Sequence, residues 1–266
     1  MTEVISLLPA GIEIGDPGWQ FAAVGVLGKV SAAFSWAVES IRARGFGTTL
    51  KIVFNTIEDS LFDWRYGTET GRAVDSDQLD SALANREHAV RYKATKARPF
   101  VALLRHLDLP QGSTFVDVGS GKGRVLLLAA QHGFKRVMGV EFSAPLCEQA
   151  RRNIEIFRAR VQPLSPIEVV QADITRHEWR GDENVFFLYN PFDAVILAQF
   201  VERLKQSVAA HPRAVWLVYS APLHAAVLEG SGLFAKRENI NFWGTEFHVY
   251  RHTGPAGSST AKEALR

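Results

Sequence analysis

Cysteine is almost absent from this chain of 266 residues, which contains Cys147 and no other. A single cysteine cannot close an intramolecular disulfide, and it excludes the thiolate clusters that hold structural zinc. Metal-ligand spacing is also missing among His177, His211, His224, His248 and His252. We therefore expect no metal ion, and a reducing compartment, the cytoplasm, as the location.

An excess of charge of either sign is lacking as well. Lys and Arg number 30 against 28 Asp and Glu, which gives a formal net charge of +2. A nucleic-acid surface usually shows a marked basic excess, so no nucleic-acid partner is indicated. The cluster of Arg91, Lys93, Lys96 and Arg98 is a local exception, and a solvated loop face is its simplest interpretation.

Long uninterrupted hydrophobic runs are missing too. The start of the chain, Met-Thr-Glu-Val, has none of the features of a secretory signal. Residues 19–38 come nearest to the length of a membrane span, but Lys29 and several small or polar residues interrupt them. We expect an amphipathic or buried helix there, attached at most to a membrane surface, and no integral membrane protein.

Three regions are predicted along the chain: a helical accessory or lid region at 1–90, a main domain at 91–252 and a disordered tail at 253–266. The helical region is broken by glycines at 44–47 and by a polar turn at 66–71.

In the main domain, short apolar runs alternate with helical stretches. The predicted strands are residues 114–118, 137–142, 167–172, 185–189 and 214–219, followed by an antiparallel edge pair at 233–239 and 246–252. The predicted helices are residues 100–107, 123–132, 144–159 and 194–209. This alternation is typical of an α/β fold with a doubly wound, mostly parallel sheet.

A glycine-rich turn follows the first predicted strand. It reads Asp117-Val118-Gly119-Ser120-Gly121-Lys122-Gly123 and leads into a helix. Ligands of open parallel sheets bind at the carboxyl ends of the strands, and glycines let the backbone approach them closely. The turn is therefore a candidate ligand site.

The spacing of this turn excludes two common ligand motifs. A dinucleotide fingerprint would need glycine at Arg124 or at Leu126, depending on the register. A phosphate loop would need Ser or Thr after a Gly-Lys pair, but Lys122 is followed by Gly123. The carboxylate of Asp117 would repel a pyrophosphate and attract a cation, so the turn favours a cationic ligand.

Two further acids end the next predicted strands. Glu141 stands where nucleotide sites place an acid that accepts from ribose hydroxyls, with a structural salt bridge as its alternative role. Asp173 is placed to accept from an adenine amino group, with Ile174 against the ring, or else to cap a helix.

Taken in order, the Asp-x-Gly-x-Gly-x-Gly turn, Glu141, Asp173 and Tyr189-Asn190-Pro191-Phe192 resemble the class I S-adenosylmethionine-dependent methyltransferases over residues 90–252. The resemblance implies a seven-stranded Rossmann-like sheet with an antiparallel last strand, and S-adenosylmethionine as the cofactor. It implies cofactor contacts from Asp117, Gly119, Ser120, Gly121, Gly123, Glu141, Phe142, Asp173, Ile174 and Asn190.

The segment Asn190-Pro191-Phe192 resembles the element with which amino-group methyltransferases bind their acceptor, although that element usually has a second proline. This implies that Asn190 and the carbonyl of Pro191 accept from the target N–H, while Phe192 forms an aromatic wall. A plain turn capped by Asn190 is the alternative. Asp193 is placed to act as a base or to support the following helix.

A similarity to histone-lysine methyltransferases without a SET domain, and to related bacterial proteins, extends to the N-terminal region. Residues 66–70 are comparable with the segments that such enzymes fold over the cofactor, and Tyr92 and Thr95 are expected to cover its methionine end. The predicted function is methyl transfer to a nitrogen, with a protein lysine as one acceptor. A small-molecule N- or O-methyltransferase and a non-catalytic cofactor-binding module are the alternatives.

Overall fold

The computed structural model describes residues 35–43, 45–71 and 94–254. Apart from Arg44, the predicted glycine break and the predicted polar turn fall within these described ranges. Residues 35–43 are helical, and a second helix begins at Phe46. This second helix ends in a turn at 67–71. Residues 19–34, Tyr92 and the tail beyond 254 lie outside the described residues.

Seven strands and six further helices follow one another within the described residues. The strands are β1 (Thr114–Val118), β2 (Arg136–Glu141), β3 (Ile167–Gln171), β4 (Glu183–Tyr189), β5 (Val215–Ser220), β6 (Lys236–Phe242) and β7 (Thr245–His252). The helices are α1 (Phe46–Tyr66), α2 (Ala97–His106), α3 (Arg124–Ala130), α4 (Ala144–Arg158), α5 (Ala194–Ala210) and α6 (Ala225–Glu229).

The seven strands form one sheet in the order β3-β2-β1-β4-β5-β7-β6. The pairs among β1 to β5 are parallel, whereas β7 is antiparallel to both of its neighbours. The strand order reverses between β1 and β4, which is the switch point where ligands of such sheets bind. The predicted doubly wound, seven-stranded and mostly parallel α/β fold is thus confirmed.

Apolar layers cover the sheet on both faces. One face packs against α2, α3 and α4 through side chains such as Phe100, Leu126 and Phe157, and Phe62 of α1 belongs to the same core. The other face packs mainly against α5, with Phe200 among its buried members. Strand β3 is less buried than the central strands because it forms one edge of the sheet.

The closing hairpin differs from its prediction. Strand β6 begins at Lys236, three residues later than expected, and pairing of Phe242 with Thr245 leaves a turn of two residues, Trp243-Gly244. Both turn residues have positive φ, 51° and 85°, as a tight antiparallel hairpin requires. The sequence signal was weak because tryptophan rarely adopts this conformation.

Candidate active site

The glycine-rich turn between β1 and α3 needs its glycines. Gly119, Gly121 and Gly123 have φ values of 77°, 51° and 85°, a region that side chains disfavour. The amides of Gly119 and Ser120 both donate to the carbonyl of Val140 in β2, at 2.8 and 3.2 Å. The turn is therefore fastened to the end of the neighbouring strand.

The end of β4 lies directly against this turn. A Cβ atom added to Gly119 would come within 2.5 Å of Cβ of Pro191. Strand pairing explains the approach, because Val118 of β1 lies opposite Leu188 of β4. The structure thus brings the predicted cofactor turn and the predicted acceptor segment together at the switch point of the sheet.

Two buried carboxylates lie beside the turn. Asp117 is 4% exposed, and within the described part of the chain no group donates a hydrogen bond to its carboxylate. Burial, and then the charge of Glu141, raise the pKa of Asp117 well above its ordinary value. The described residues do not compensate an ionised carboxylate at this position, so the site favours a cationic ligand.

Glu141 is held by backbone amides. Its two carboxylate oxygens accept from the amide of Gly121 at 2.9 Å and from that of Ser143 at 3.0 Å. Burial raises the pKa of Glu141, and these backbone hydrogen bonds oppose the rise. A structural salt bridge was the alternative role considered for Glu141, but among the described residues no cation forms one with it. Each carboxylate oxygen of Glu141 can accept a further hydrogen bond, which leaves capacity for the predicted ribose contact.

The neighbouring predicted cofactor residues have local roles as well. Asp173 Oδ1 accepts from the amide and the hydroxyl of Thr175, at 2.9 and 2.7 Å, so this oxygen caps a turn. Ile174 is buried in the core and Phe142 is half-buried. The contacts of Asp173 and Ile174 with the adenine, and the contact of Phe142 with the cofactor, remain predictions.

Asn190 has an unusual backbone for a residue other than glycine. Its φ is 40°, and its side chain is buried, with Oδ1 accepting from the hydroxyl of Tyr219 at 2.7 Å. Asparagine tolerates the left-handed region better than most residues, and the hydrogen bond fixes the orientation of its amide. The structure therefore holds an amide oxygen at the end of β4, beside the glycine turn.

The residues that follow Asn190 build the start of α5. Asp193 caps this helix, since its Oδ1 accepts from the amides of Val195 and Ile196 at 2.9 and 3.1 Å. Asn190 is therefore not the helix cap considered as its alternative. Phe192 is buried in the core beneath α5, so its predicted role as an aromatic wall depends on its exposed edge, 8% of the residue.

Two functional positions escaped the sequence analysis. A Cβ added to Gly139 in β2 would meet Ser120 Oγ at 2.6 Å, so a glycine inside this strand makes room for the glycine turn. A glycine within a strand signals such a close approach. Tyr219 had no local signal, because its link to Asn190 joins residues 29 positions apart.

The remaining predictions concern Thr95 and Tyr92, metal ions and membrane-spanning helices. Thr95 is buried just before α2, while Tyr92 lies outside the described residues. Across the described ranges there is no cluster of His, Cys, Asp and Glu suited to a metal ion. No helix in those same ranges is long and apolar enough to cross a membrane.

A parallel sheet with a glycine turn, a buried acid pair and an amide at its switch point has the groups suited to a cationic nucleoside ligand with a second reactant beside it. Residues 115–215 match the methyltransferase-domain family. These residues are a methyltransferase domain, which confirms the resemblance to the class I S-adenosylmethionine-dependent methyltransferases seen in the sequence.

Two relatives and one solved structure are similar to this chain. The chain is 27% identical over 151 residues to protein arginine N-methyltransferase 1 of Saccharomyces cerevisiae, and 30% identical over 151 residues to the protein of the same name in Dictyostelium discoideum. Each match covers 53% of this chain and 40% of the relative, so the chain spans about two fifths of the length of these relatives. A methyltransferase structure from Aquifex aeolicus is 15% identical, with a TM-score of 0.47 over 67% of this chain and 98% of that one.

The cofactor of this domain is S-adenosylmethionine, and the residues present fit it. The buried carboxylate of Asp117, for which the described residues provide no hydrogen-bond donor, suits the cofactor's positive charges. The glycines let the backbone of the turn approach a ligand closely. When bound, S-adenosylmethionine supplies a methyl group activated by its sulfonium. The protein's own task is to orient a lone pair of the acceptor and to exclude water.

Proposed function

We propose that this domain transfers the methyl group to a nitrogen atom, with a protein side-chain amine as the acceptor. The observation that carries the proposal is the amide of Asn190, which Tyr219 holds next to Pro191, the residue that packs against the cofactor turn. A nitrogen acceptor brings an N–H to the site, and an amide oxygen is the group that binds it.

The state of Asn190 supports this role. The hydroxyl of Tyr219 uses one lone pair of Oδ1, and a carbonyl oxygen has two. The second lone pair can accept from the N–H of the methyl acceptor and so aim the nitrogen lone pair toward the cofactor. Asp193 Oδ1 is engaged with helix amides, which favours orientation by Asn190 over proton removal by Asp193.

The surface at the carboxyl ends of the parallel strands, where Asn190 lies, supports a large acceptor. Three exposed apolar side chains follow the ends of β4, β5 and β6 at this end of the sheet. They are Val195, Leu223 and Trp243, with exposures of 53%, 75% and 42%. Exposed apolar side chains at the same end of the sheet as the site suit contact with another macromolecule. The names of the relatives, two of them protein arginine N-methyltransferases, also support nitrogen on a protein.

The test follows the label from the cofactor into its product. The protein is incubated with S-adenosylmethionine carrying a tritiated methyl group and with fractionated lysate, and labelled products are identified by mass spectrometry after hydrolysis. We expect label on a protein nitrogen. Label found only on oxygen, or only in small molecules, would refute the proposed acceptor, and binding without any transfer would indicate a non-catalytic module.

Substitution of Asn190 by Ala tests its role. We expect turnover to fall roughly 10- to 100-fold, as for the loss of one oriented hydrogen bond, while the Kd for S-adenosylhomocysteine changes by less than about twofold. The matched control is Asn184→Ala at the opposite end of β4, where Oδ1 accepts from the amide of Thr114 at 2.9 Å. The control should cost about 1 kcal/mol of stability and leave turnover unchanged. Equal losses of turnover in the two variants would contradict the assignment.

A further inference from the structure

The two basic side chains of the glycine turn are buried. Lys122 and Arg124 are 4% and 1% exposed, and they flank Gly123 at the start of α3. A buried cation is costly unless it is paired and hydrogen-bonded. The groups that pair with them therefore matter for the shape of the turn.

Acidic partners of these cations come from the end of α1 and the turn that follows it. Lys122 Nζ lies 3.1 Å from Glu69 Oε1, and Arg124 Nη2 lies 3.4 Å from Asp63 Oδ2. Arg124 Nε also donates to the hydroxyl of Thr70 at 2.7 Å. The segment 63–71 thus compensates both cations from more than 50 positions upstream, as the sequence separations of 53 and 61 show.

Asp63 organises this segment. Its carboxylate accepts from the hydroxyls of Thr68 and Thr70, both at 2.7 Å, and from the amides of Thr70 and Gly71 at 3.0 and 2.6 Å. These hydrogen bonds close the turn at 67–71, and the same carboxylate pairs with Arg124. One side chain therefore both folds the segment and pairs with the cation.

Asn153 of α4 joins the same segment to the backbone of the glycine turn. Its Oδ1 accepts from the amide of Glu69 at 2.9 Å, and its Nδ2 donates to the carbonyls of Glu69 at 3.1 Å and Lys122 at 2.9 Å. Asn153 is fully buried. The carbonyl of Lys122 lies between Gly121 and Gly123, and glycine has the greatest conformational freedom in an unrestrained chain.

We infer that Asp63 and Glu69 are positioning residues for cofactor binding. By pairing with Arg124 and Lys122 they hold the glycine turn in its ligand-binding conformation without touching the ligand. A turn ordered in advance spends less binding free energy on ordering itself, so the affinity for the cofactor increases. The inference does not depend on the identity of the methyl acceptor.

Reciprocity supplies a test in the unmodified protein. If the docked segment raises cofactor affinity, cofactor binding must favour the docked segment by the same factor. We expect saturating S-adenosylhomocysteine to slow hydrogen exchange at the amides of Thr70 and Gly71, which donate to Asp63. Exchange that is unchanged by the ligand at both amides would overturn the inference.

Two variants test affinity directly. Asp63→Asn should raise the Kd for S-adenosylhomocysteine about tenfold, within the usual range of coupling between sites. Glu69→Gln alters a side chain that is 58% exposed, so it should fold normally and still raise the Kd by roughly threefold or more. If Asp63→Asn fails to fold, Glu69→Gln and the exchange experiment decide.

The control removes an ion pair far from the cofactor turn. Asp182 Oδ1 lies 2.7 Å from Arg136 Nη2 at the amino ends of β2 and β4, opposite the cofactor turn. Asp182→Asn should therefore change the Kd by less than about twofold. An unchanged Kd in folded Asp63→Asn and Glu69→Gln would overturn the inference. So would an equal rise in the control.

Discussion

The approach of Gly119 to Pro191 gives a prediction whose magnitude follows from the structure. Gly119→Ala places a Cβ 2.5 Å from Cβ of Pro191 and puts a side chain at a φ of 77°. Left-handed strain costs about 1–2 kcal/mol. Overpacking adds about 1–3 kcal/mol, so the total loss of stability is about 2–5 kcal/mol. Because the turn must move away from the end of β4, we expect cofactor affinity to fall at least about tenfold, or about 1.4 kcal/mol.

Urea unfolding and calorimetric titration with S-adenosylhomocysteine measure the two quantities. The matched control is Gly112→Ala, which has a similar φ of 74° but no atom within 4 Å of the added Cβ. This control pays the backbone strain of about 1–2 kcal/mol and should bind the ligand normally. Pro191→Gly removes the opposing Cβ and should recover part of the loss in the double variant. The reasoning fails if Gly119→Ala and Gly112→Ala lose equal stability and bind equally well.

Two further predictions concern the charges and hydrogen bonds of the site. Burial and Glu141 raise the folded-state pKa of Asp117, so protonation as the pH falls through that pKa should stabilise the cofactor-free protein and weaken binding of the cationic cofactor. Thermal unfolding and titrations across mildly acidic pH check both signs, and Asp117→Asn should flatten both profiles. Tyr219→Phe removes the donor to Asn190 and should cost about 1 kcal/mol of stability, with turnover falling more than cofactor affinity. Unchanged turnover in this variant would show that the amide is oriented by other contacts.

Local patterns predicted the elements and the cofactor turn well. Strand β1 begins and ends where expected, and the three glycines that follow it form the predicted turn, each with a positive φ. Both features depend on near neighbours in the chain: a strand on continuous apolar residues, a turn on missing Cβ atoms. The hairpin at Trp243-Gly244 was displaced in the prediction because its turn has an atypical first residue.

The sequence by itself determined that a parallel α/β domain carries a glycine turn suited to a cationic nucleoside, because periodicity, glycine spacing and one carboxylate are properties of short segments. Only the tertiary structure decided that Asp117 is buried beside Glu141, and that Tyr219 holds Asn190. It also decided that Asp63 and Glu69 compensate the cations of the turn. These contacts join residues distant in the chain, and they exist because strand order and packing, which no local pattern encodes, bring their side chains together.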